Sequence, residues 1–423
     1  MVRMDLSALL SNIILNYLDF LIKMDKGGFM ILNAANPYRP GAGRVPPELA
    51  GRSAVMSEYE SLLSTVTRDQ MGDRPWIISG LRGVGKTVLL NQCSREASAA
   101  GWVTIKIEAS GSHSLGSQLA NETYVALRKV AKLPEKVRKS FREAFSVFKA
   151  FQINIDPAGA YSFGFDVQAA SGQADSGQLA TDLAELLQSL GEGARAAGIG
   201  VLIAIDELQE ADRDDLMALN VALHQLGQDP QPVPVIFIGA GLPSLPAVMA
   251  DASSYAERMY LYRSLGLLDP EATTDALVTP ARREGVTWGE DALEQVLAVS
   301  QGYPYFIQAC GKHVWDVAAS RTINAEDARL GIARAREEVD AGLYMARWER
   351  ATNNQQEFMK AMAADNDEPS MVSELATRLG KPQTTLSMPR RTLIQAGLVY
   401  SPRRGQLAFT VPGMADFINR VLG

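Results

Sequence analysis

The stretch that most constrains this chain is PWIISGLRGVGKTVLL, at residues 75–90. Its first apolar residues predict a short buried strand, which runs directly into GLRGVGKT at residues 80–87. This octapeptide fits the phosphate-loop pattern G-x-x-x-x-G-K-[ST], in which glycines let main-chain N–H groups wrap closely around phosphate oxygens. Lys86 would reach the β- and γ-phosphates, the Thr87 hydroxyl would ligate Mg2+, and the helix that begins there would direct the positive end of its dipole at the anion. The motif predicts a nucleotide-binding site formed by Gly80, Leu81, Arg82, Gly83, Val84, Gly85, Lys86, Thr87 and Val88.

Length and composition limit the remaining interpretations. At 423 residues the chain is too long for one ordinary core, so we expect two or three domains. A hydrophobic content of 47% and a charged content of 21% are typical of a globular protein. The net charge of −7 argues against a chain that coats nucleic acid along its whole length, but it allows a local basic patch.

Cysteine usage and the N-terminal segment bear on the compartment. Cys93 and Cys310 are far apart in predicted helices, which favours buried free thiols in a reducing cytoplasm. Apolar residues at helical spacing over residues 6–22 predict an amphipathic helix, too polar and too short to span a membrane. Met24 and Met30 could each start a shorter chain, so the sequence leaves open whether residues 1–29 belong to the native protein.

A second motif gives the phosphate loop its chemistry. In VLIAIDELQ, residues 201–209, an uninterrupted apolar run predicts a buried parallel strand that ends at two adjacent acids. Asp206 would hold Mg2+ together with Thr87, and Glu207 would polarise the water that attacks the γ-phosphate. The two acids could instead merely begin a helix as capping residues. Because they follow a phosphate loop by one domain's worth of chain, the catalytic interpretation is favoured.

The order of elements predicts the fold. Strands at residues 76–79, 102–107, 200–205 and 233–238 alternate with helices, which specifies a doubly wound α/β domain with a parallel sheet. Its ligand should lie at the carboxyl ends of the strands. Residues 151–155 and 161–167 are predicted to form two further strands that are joined by a hairpin turn.

The pattern turns wholly helical from about Asp269 and then ends in a different unit. Helices at 271–283, 290–300, 303–320 and 325–341 predict a small all-α domain. Helices at 355–364 and 371–379, a basic segment to residue 396 and a strand-turn-strand outline a winged helix-turn-helix. The predicted organisation is an N-terminal extension at 1–35, an α/β nucleotide-binding domain at 36–268, a helical lid domain at 269–348 and a winged-helix domain at 349–423.

Together these motifs resemble an AAA+ ATPase. The similarity is to bacterial and archaeal ATPases that are related to origin-recognition-like replication initiators and to STAND-type signalling ATPases, and it covers residue 36 onward. The resemblance implies a P-loop NTPase sheet of the AAA+ type, ATP and Mg2+ as cofactors, and an adenine pocket lined by the segment before the first helix. In this chain that segment supplies Tyr38, Arg39, Gly51 and Arg52.

Three positions bear on catalysis. Arg258, in SYAERMYLY, could reach a nucleotide in a neighbouring subunit of a homo-oligomer, or could be a surface arginine that pairs with Glu257 or packs against Tyr262. AAA+ proteins usually carry a polar sensor after the fourth strand, where this chain has Gly241. Many also carry a lid arginine, where this chain has Tyr305. These departures favour slow turnover.

The C-terminal basic segment points to a partner. Between residues 381 and 404 there are five basic residues and no acidic ones: Lys381, Arg390, Arg391, Arg403 and Arg404. This pattern is typical of phosphate contacts from a recognition helix and wing to double-stranded DNA. We therefore expect a slow ATP/ADP switch that hydrolyses Mg-ATP and contacts DNA. The alternative is a STAND-like signalling or defence ATPase whose C-terminal domain binds a protein.

Overall fold

The computed structural model describes residues 34–155, 163, 165 and 167–422. The predicted amphipathic helix at residues 6–22 lies outside the described residues. Among those described, no helix is long and apolar enough to cross a membrane.

A single parallel sheet of five strands forms the centre of the first half. The strands are β1 Trp76–Ser79, β2 Val103–Glu108, β3 Val201–Asp206, β4 Val235–Gly241 and β5 Leu261–Ser264. Their spatial order is β2-β3-β4-β1-β5, and every neighbouring pair is parallel. The apolar runs of β3 and β4 are buried along their whole length because these strands lie inside the sheet and are covered on both faces.

Nine helices of the described chain cover the sheet and its edges. They are α1 Ser53–Asp69, α2 Lys86–Ala99, α3 Leu115–Val130, α4 Glu135–Ser140, α5 Arg142–Ile155, α6 Leu179–Ala197, α7 Arg213–Gln228, α8 Leu245–Ala252 and α9 Ala256–Met259. Two hydrophobic cores result, one on each face of the sheet. The predicted doubly wound α/β architecture of parallel strands is confirmed.

A helical unit follows the sheet. It contains helices α10 Pro270–Arg283, α11 Glu290–Ser300, α12 Pro304–Val317 and α13 Ala325–Val339, with a short parallel pair β6 Thr287–Trp288 and β7 Thr322–Ile323. The N-terminus of α13 is fixed by a capping box, in which the Asn324 side chain accepts from the Asp327 N–H and the Asp327 side chain accepts from the Asn324 N–H. These helices lie where the sequence predicts them.

Residues 340–422, which we call the C-terminal unit, begin with a π-helical turn at Asp340–Tyr344. Its helices are α14 Met345–Arg350, α15 Asn353–Ala363, α16 Val372–Leu379, α17 Ser387–Gln395 and α18 Met414–Phe417, and its strands are β8 Ser370–Met371, β9 Val399–Tyr400 and β10 Gln406–Phe409. The strands form an antiparallel sheet in the order β8-β10-β9. One hydrophobic core runs through both the helical and the C-terminal units.

Two strand predictions differ from the structure. Residues 151–155 form the end of helix α5 and not a strand, since Phe141, Phe145, Phe148 and Phe151 recur at helical spacing and all four are buried. That continuous apolar face outweighs the local strand propensity of these residues. Most of the second predicted strand of the hairpin lies outside the described residues. The sequence interpretation also missed β5, whose half-exposed pattern at the sheet edge gives a weak signal.

Candidate functional site

The phosphate loop connects β1 to α2 at the carboxyl edge of the sheet. Gly83 and Gly85 have φ angles of 78° and 97°, a left-handed conformation that glycine adopts without strain. Helix α2 begins at Lys86, so its free N–H groups and positive dipole end face the hollow of the loop. The loop therefore has the backbone shape of an anion cradle.

Lys86 lies inside this loop. Its Nζ donates to the carbonyl oxygens of Gly80 at 3.0 Å and Leu81 at 2.9 Å, and only 5% of the residue is exposed. Burial lowers the pKa of Lys86, while the negative charges of Glu207 and Asp206 oppose that shift. The ammonium is thus held between the loop and the two acids, where phosphate oxygens can replace the carbonyl partners.

The two acids end β3 beside the loop. Asp206 is 2% exposed and its Oδ1 accepts from the main-chain N–H of Glu207 at 2.9 Å. Glu207 has a φ of 47°, a strained value for a residue with a Cβ. Its Oε2 accepts from Gln209 Nε2 at 2.6 Å and its Oε1 lies 3.9 Å from Arg82 Nη1. The carboxylate of Glu207 is therefore held from two sides.

Gln209 is a site residue that sequence reasoning missed. Besides donating to Glu207, its side-chain oxygen accepts from the main-chain N–H of Leu242 at 3.0 Å. A Cβ at Gly241 would overlap this same oxygen. The glycine at the expected sensor position thus makes room for Gln209, which joins the ends of β3 and β4. A polar residue two positions after Glu207 was the only signal in the sequence.

A cavity of about 450 Å³ opens over the phosphate loop. Six basic and two acidic side chains line it, so it is electropositive: Arg39, Arg44, Arg52, Arg82, Lys86 and Arg347 against Glu48 and Glu207. Residues 82–88 form one wall, and residues 39–50, 303–308 and 342–347 contribute to the others. A polyanion is the ligand that this charge distribution favours.

The predicted adenine-pocket residues separate into two groups. Arg39 and Arg52 line the cavity, and Arg52 donates to the carbonyl oxygens of Val84 at 3.0 Å and Gly266 at 2.7 Å. Tyr38 does not line it. Its hydroxyl donates to Leu277 O and accepts from Trp288 Nε1. Tyr38 therefore fixes the segment before the first helix to the helical unit.

Tyr303 brings the helical unit onto the phosphate loop. It is 3% exposed, and a Cβ at Gly83 would overlap its hydroxyl group. Burial raises the pKa of the Tyr303 hydroxyl well above its ordinary value. Tyr305, where a lid arginine was expected, also lines the cavity.

Arg82 connects the phosphate loop to the C-terminal unit. Its main-chain N–H donates to Thr410 O at 3.0 Å, and its guanidinium lies against Gly397. Arg347, from α14, lines the cavity and is close enough to Arg82 for their charges to repel. Sequence reasoning missed Arg347 because no local motif surrounds it.

Arg258 lies away from this cavity. It is exposed on α9, and its main-chain carbonyl accepts a hydrogen bond from Arg74 Nη2 at 2.9 Å. Arg74 precedes the amino end of β1, so this contact lies at the sheet edge opposite the phosphate loop. The structure does not bring it to the site of its own chain.

The predicted DNA-contact residues lie in three places. Arg390 and Arg391 are on α17, Arg403 and Arg404 are in the β9–β10 turn, and Lys381 follows the end of α16. Arg391, Arg403 and Arg404 are exposed and form no salt bridge with any described residue. Arg390 donates to Ser401 Oγ at 3.2 Å, and Lys381 Nζ lies 3.4 Å from a Glu357 carboxylate oxygen.

The donor set fits Mg2+ bound with a nucleotide. Within the described ranges, no group of three or more His, Cys, Asp or Glu residues could hold a metal ion by itself. Mg2+ in nucleotide sites takes one or two protein oxygens and completes its shell with phosphate and water. Thr87 and Asp206, at the ends of the two motifs, would supply such oxygens.

Two family models match the chain. Residues 48–238 match an AAA ATPase domain, and residues 341–418 match a domain of unknown function. No curated protein is significantly similar to the chain in sequence.

Solved structures share the fold at low sequence identity. A Walker-type ATPase of Pyrococcus abyssi is 16% identical with a TM-score of 0.54, covering 90% of this chain and 98% of its own. The ORC2 protein of Aeropyrum pernix, solved as ADPNP–ADP complexes, is 15% identical with a TM-score of 0.53, covering 90% and 96%. Both likenesses concern the fold alone. The sheet order, the phosphate loop and the family match agree on the fold: this part of the chain has the P-loop α/β fold, and residues 48–238 are similar to the AAA ATPase domain.

Proposed function

We propose that the protein binds Mg-ATP in the cavity over the phosphate loop, hydrolyses it slowly, and acts as an ATP/ADP switch. One observation carries this proposal: Lys86, Glu207 and the Arg82 contact to the C-terminal unit all adjoin the same cavity. Lys86 would bind phosphate oxygens, and Glu207 would accept a proton from the attacking water. Thr87 and Asp206 would hold Mg2+, which neutralises charge on the phosphates when it is bound.

The far walls of the cavity would hold the nucleoside. The segment at residues 39–50 and the start of α12 face each other across it, and Arg52 fixes the end of that segment to the phosphate loop. Gly51 has a φ of 67° and packs against Ala272, which keeps this segment close to α10. Adenine would lie between Arg39 and the helical unit, which would then act as a lid.

Slow turnover is supported by the way Glu207 is held. Gln209 donates to its carboxylate and Arg82 lies nearby, so a proton-accepting position requires these contacts to rearrange. Neither Gly241 nor Tyr305 offers a cationic side chain to the γ-phosphate. These features suit a protein that holds ATP for longer than a motor does.

The C-terminal unit would be a winged helix that contacts double-stranded DNA. Helices α15, α16 and α17 precede the β9–β10 hairpin, which is the order of a winged helix-turn-helix. The exposed guanidinium groups of Arg391, Arg403 and Arg404 supply phosphate contacts, with Arg390 and Lys381 beside them. Because Gly397 and Thr410 of this unit touch Arg82, a change in the nucleotide can alter how the unit is held.

ATP turnover measured with and without duplex DNA, alongside the molecular mass in each nucleotide state, tests this proposal. Slow basal turnover that duplex DNA changes severalfold is the expected result. Turnover that does not respond to DNA, with no salt-dependent retention on DNA, would contradict the DNA assignment. Absence of ATP binding would contradict the switch itself.

A second candidate is a STAND-like ATPase whose C-terminal unit binds a protein. Met388 favours it, because this side chain is 65% exposed on the helix that would otherwise read DNA. An exposed methionine is common at adaptable protein-binding surfaces. Met388→Glu would abolish capture of such a partner, whereas salt-dependent retention of the wild type on duplex DNA would favour the first function.

Arg258 would act only between subunits of a homo-oligomer. Its exposed position at the opposite sheet edge leaves it free to reach a neighbouring nucleotide. Mixing Arg258→Ala subunits with Lys86→Ala subunits would restore part of the turnover if this holds. Turnover of the Arg258→Ala protein equal to that of the wild type would exclude the role.

A further inference from the structure

Two arginines from different units line the cavity over the phosphate loop. Arg82 is part of the loop, and Arg347 belongs to α14, within the stretch that matches a domain of unknown function. Both line the nucleotide cavity. The second arginine is therefore brought to the site by the tertiary structure, from about 265 residues further along the chain.

Arg347 lacks a carboxylate partner among the described residues. Its Nη1 donates to Leu343 O in the preceding turn at 3.1 Å, and no described Asp or Glu lies within salt-bridge distance. Burial and the positive charges of Arg82 and Arg350 all lower the pKa of Arg347. A half-buried guanidinium in such surroundings is unfavourable until an anion enters.

The position of the pair indicates which part of a nucleotide it would meet. Arg82 Nη1 lies 3.9 Å from Glu207, the residue proposed to activate the water that attacks the γ-phosphate. Arg347 lines the same cavity, close enough to Arg82 for their charges to interact. The pair is therefore placed to meet a third phosphate group beside Glu207.

We propose that Arg82 and Arg347 form a subsite for the terminal phosphate of a nucleoside triphosphate, with Arg347 contributed by the C-terminal unit. A triphosphate anion between the two guanidinium groups replaces their repulsion with charge-assisted hydrogen bonds. A diphosphate, one group shorter, leaves the pair unbridged. This inference rests on the proposed ATP binding and identifies the triphosphate as the ligand that holds the C-terminal unit on the phosphate loop.

Equilibrium binding of a non-hydrolysable ATP analogue and of ADP to full-length Arg347→Gln tests the proposal. Affinity for the analogue should fall roughly tenfold or more, while affinity for ADP should change less than about threefold. Arg350→Gln is the matched control, because Arg350 is on the same helix, carries the same charge and is exposed outside the cavity. Equal behaviour of the two variants would overturn the proposal.

A second readout separates phosphate binding from a structural role. Removing one of two repelling cations should leave the melting temperature of the nucleotide-free protein unchanged or higher, but should remove most of the stabilisation by the ATP analogue. A lower melting temperature of the nucleotide-free Arg347→Gln protein would overturn the proposal. Lys86→Ala is measured in parallel: if it still binds ATP, the proposed function fails. If it loses binding while Arg347→Gln behaves like the control, only this subsite fails.

Discussion

One side of the nucleotide cavity comes from a single parallel sheet, whereas the other is assembled from three segments that are far apart in sequence. On the sheet side, the phosphate loop follows β1 and the Asp206–Glu207 pair ends β3, so their spacing is set by strand pairing. On the far side, residues 39–50, 303–308 and 342–347 meet only because the helical and C-terminal units pack together. In the proposed function, the sheet side would carry out the chemistry, and the far side would determine when the site is complete.

The largest effect is expected on the sheet side. Lys86→Ala removes the ammonium that the loop holds at its centre, and ATP affinity should fall about 100-fold or more because the phosphates no longer have this charged hydrogen-bond donor. Isothermal titration calorimetry measures the ATP affinity of the variant and of the wild type. Arg95→Ala is the control, since Arg95 is exposed on the same helix α2. Similar affinities of the two variants would contradict the assigned role of Lys86.

A second substitution acts where the two sides touch. Gly83→Ala places a methyl group against the Tyr303 hydroxyl and imposes a left-handed conformation on alanine, so both ATP affinity and stability should fall. Gly101→Ala separates the two causes, because Gly101 has a φ of 80° but open space around it. The control should lose about 1–2 kcal/mol of unfolding free energy in denaturant titrations, and Gly83→Ala should lose more. An equal loss of unfolding free energy in the two variants would show that Tyr303 is not packed against the phosphate loop.

A third substitution tests how the sheet side orients its base. Gln209→Ala frees the Glu207 carboxylate from a contact that otherwise has to rearrange, so ATP turnover should rise roughly tenfold while ATP affinity stays constant. Steady-state kinetics measures the effect, and Gln228→Ala at the exposed end of α7 is the control. Unchanged turnover would mean that Gln209 serves only to join the strand ends.

The smallest effect is expected at the C-terminal unit, far from the chemistry. Arg391, Arg403 and Arg404 are replaced together by glutamine. The slope of log K for DNA binding against the logarithm of the salt concentration should then become shallower, by about 0.9 for each DNA phosphate that the protein no longer neutralises. Lys381→Gln should change it less, since Lys381 already lies beside Glu357. Fluorescence anisotropy with duplex DNA at several salt concentrations gives both slopes. Identical slopes for the wild type and the triple variant would exclude this surface.

The sequence predicted the sheet side well because its residues act within short stretches. The phosphate loop and VLIAIDELQ each combine a buried strand with the groups that follow it, and the structure places Lys86, Glu207 and Thr87 around one cavity. Four of the five strands were also predicted, β2 from its alternating pattern and the other three from short apolar runs. The predicted strand at residues 151–155 was wrong because a helical row of phenylalanines decided the local structure.

The residues of the far side could not be predicted from the sequence, for a physical reason. Arg347 gains its role from neighbours that are close only in the folded chain, and no local motif marks it. Gln209 is a similar case on the sheet side, since only its place two residues after Glu207 marks it. Tyr38 shows the reverse case, because its place before the first helix suggested the adenine pocket while its hydroxyl is occupied by Leu277 and Trp288. The role of such a residue depends on packing between units, which cannot be predicted from the periodicity within one segment.

The most direct test of the account is the rate of ATP hydrolysis by the wild type and by Glu207→Gln under saturating Mg-ATP. Glutamine keeps an oxygen acceptor for Gln209 but cannot take a proton from water, so ATP affinity should stay within about threefold and turnover should fall about 100-fold or more. Slow turnover by the wild type that disappears in the variant is the predicted result. Equal turnover by the two proteins would contradict the assignment of Glu207 as the base and, with it, the catalytic interpretation of this site.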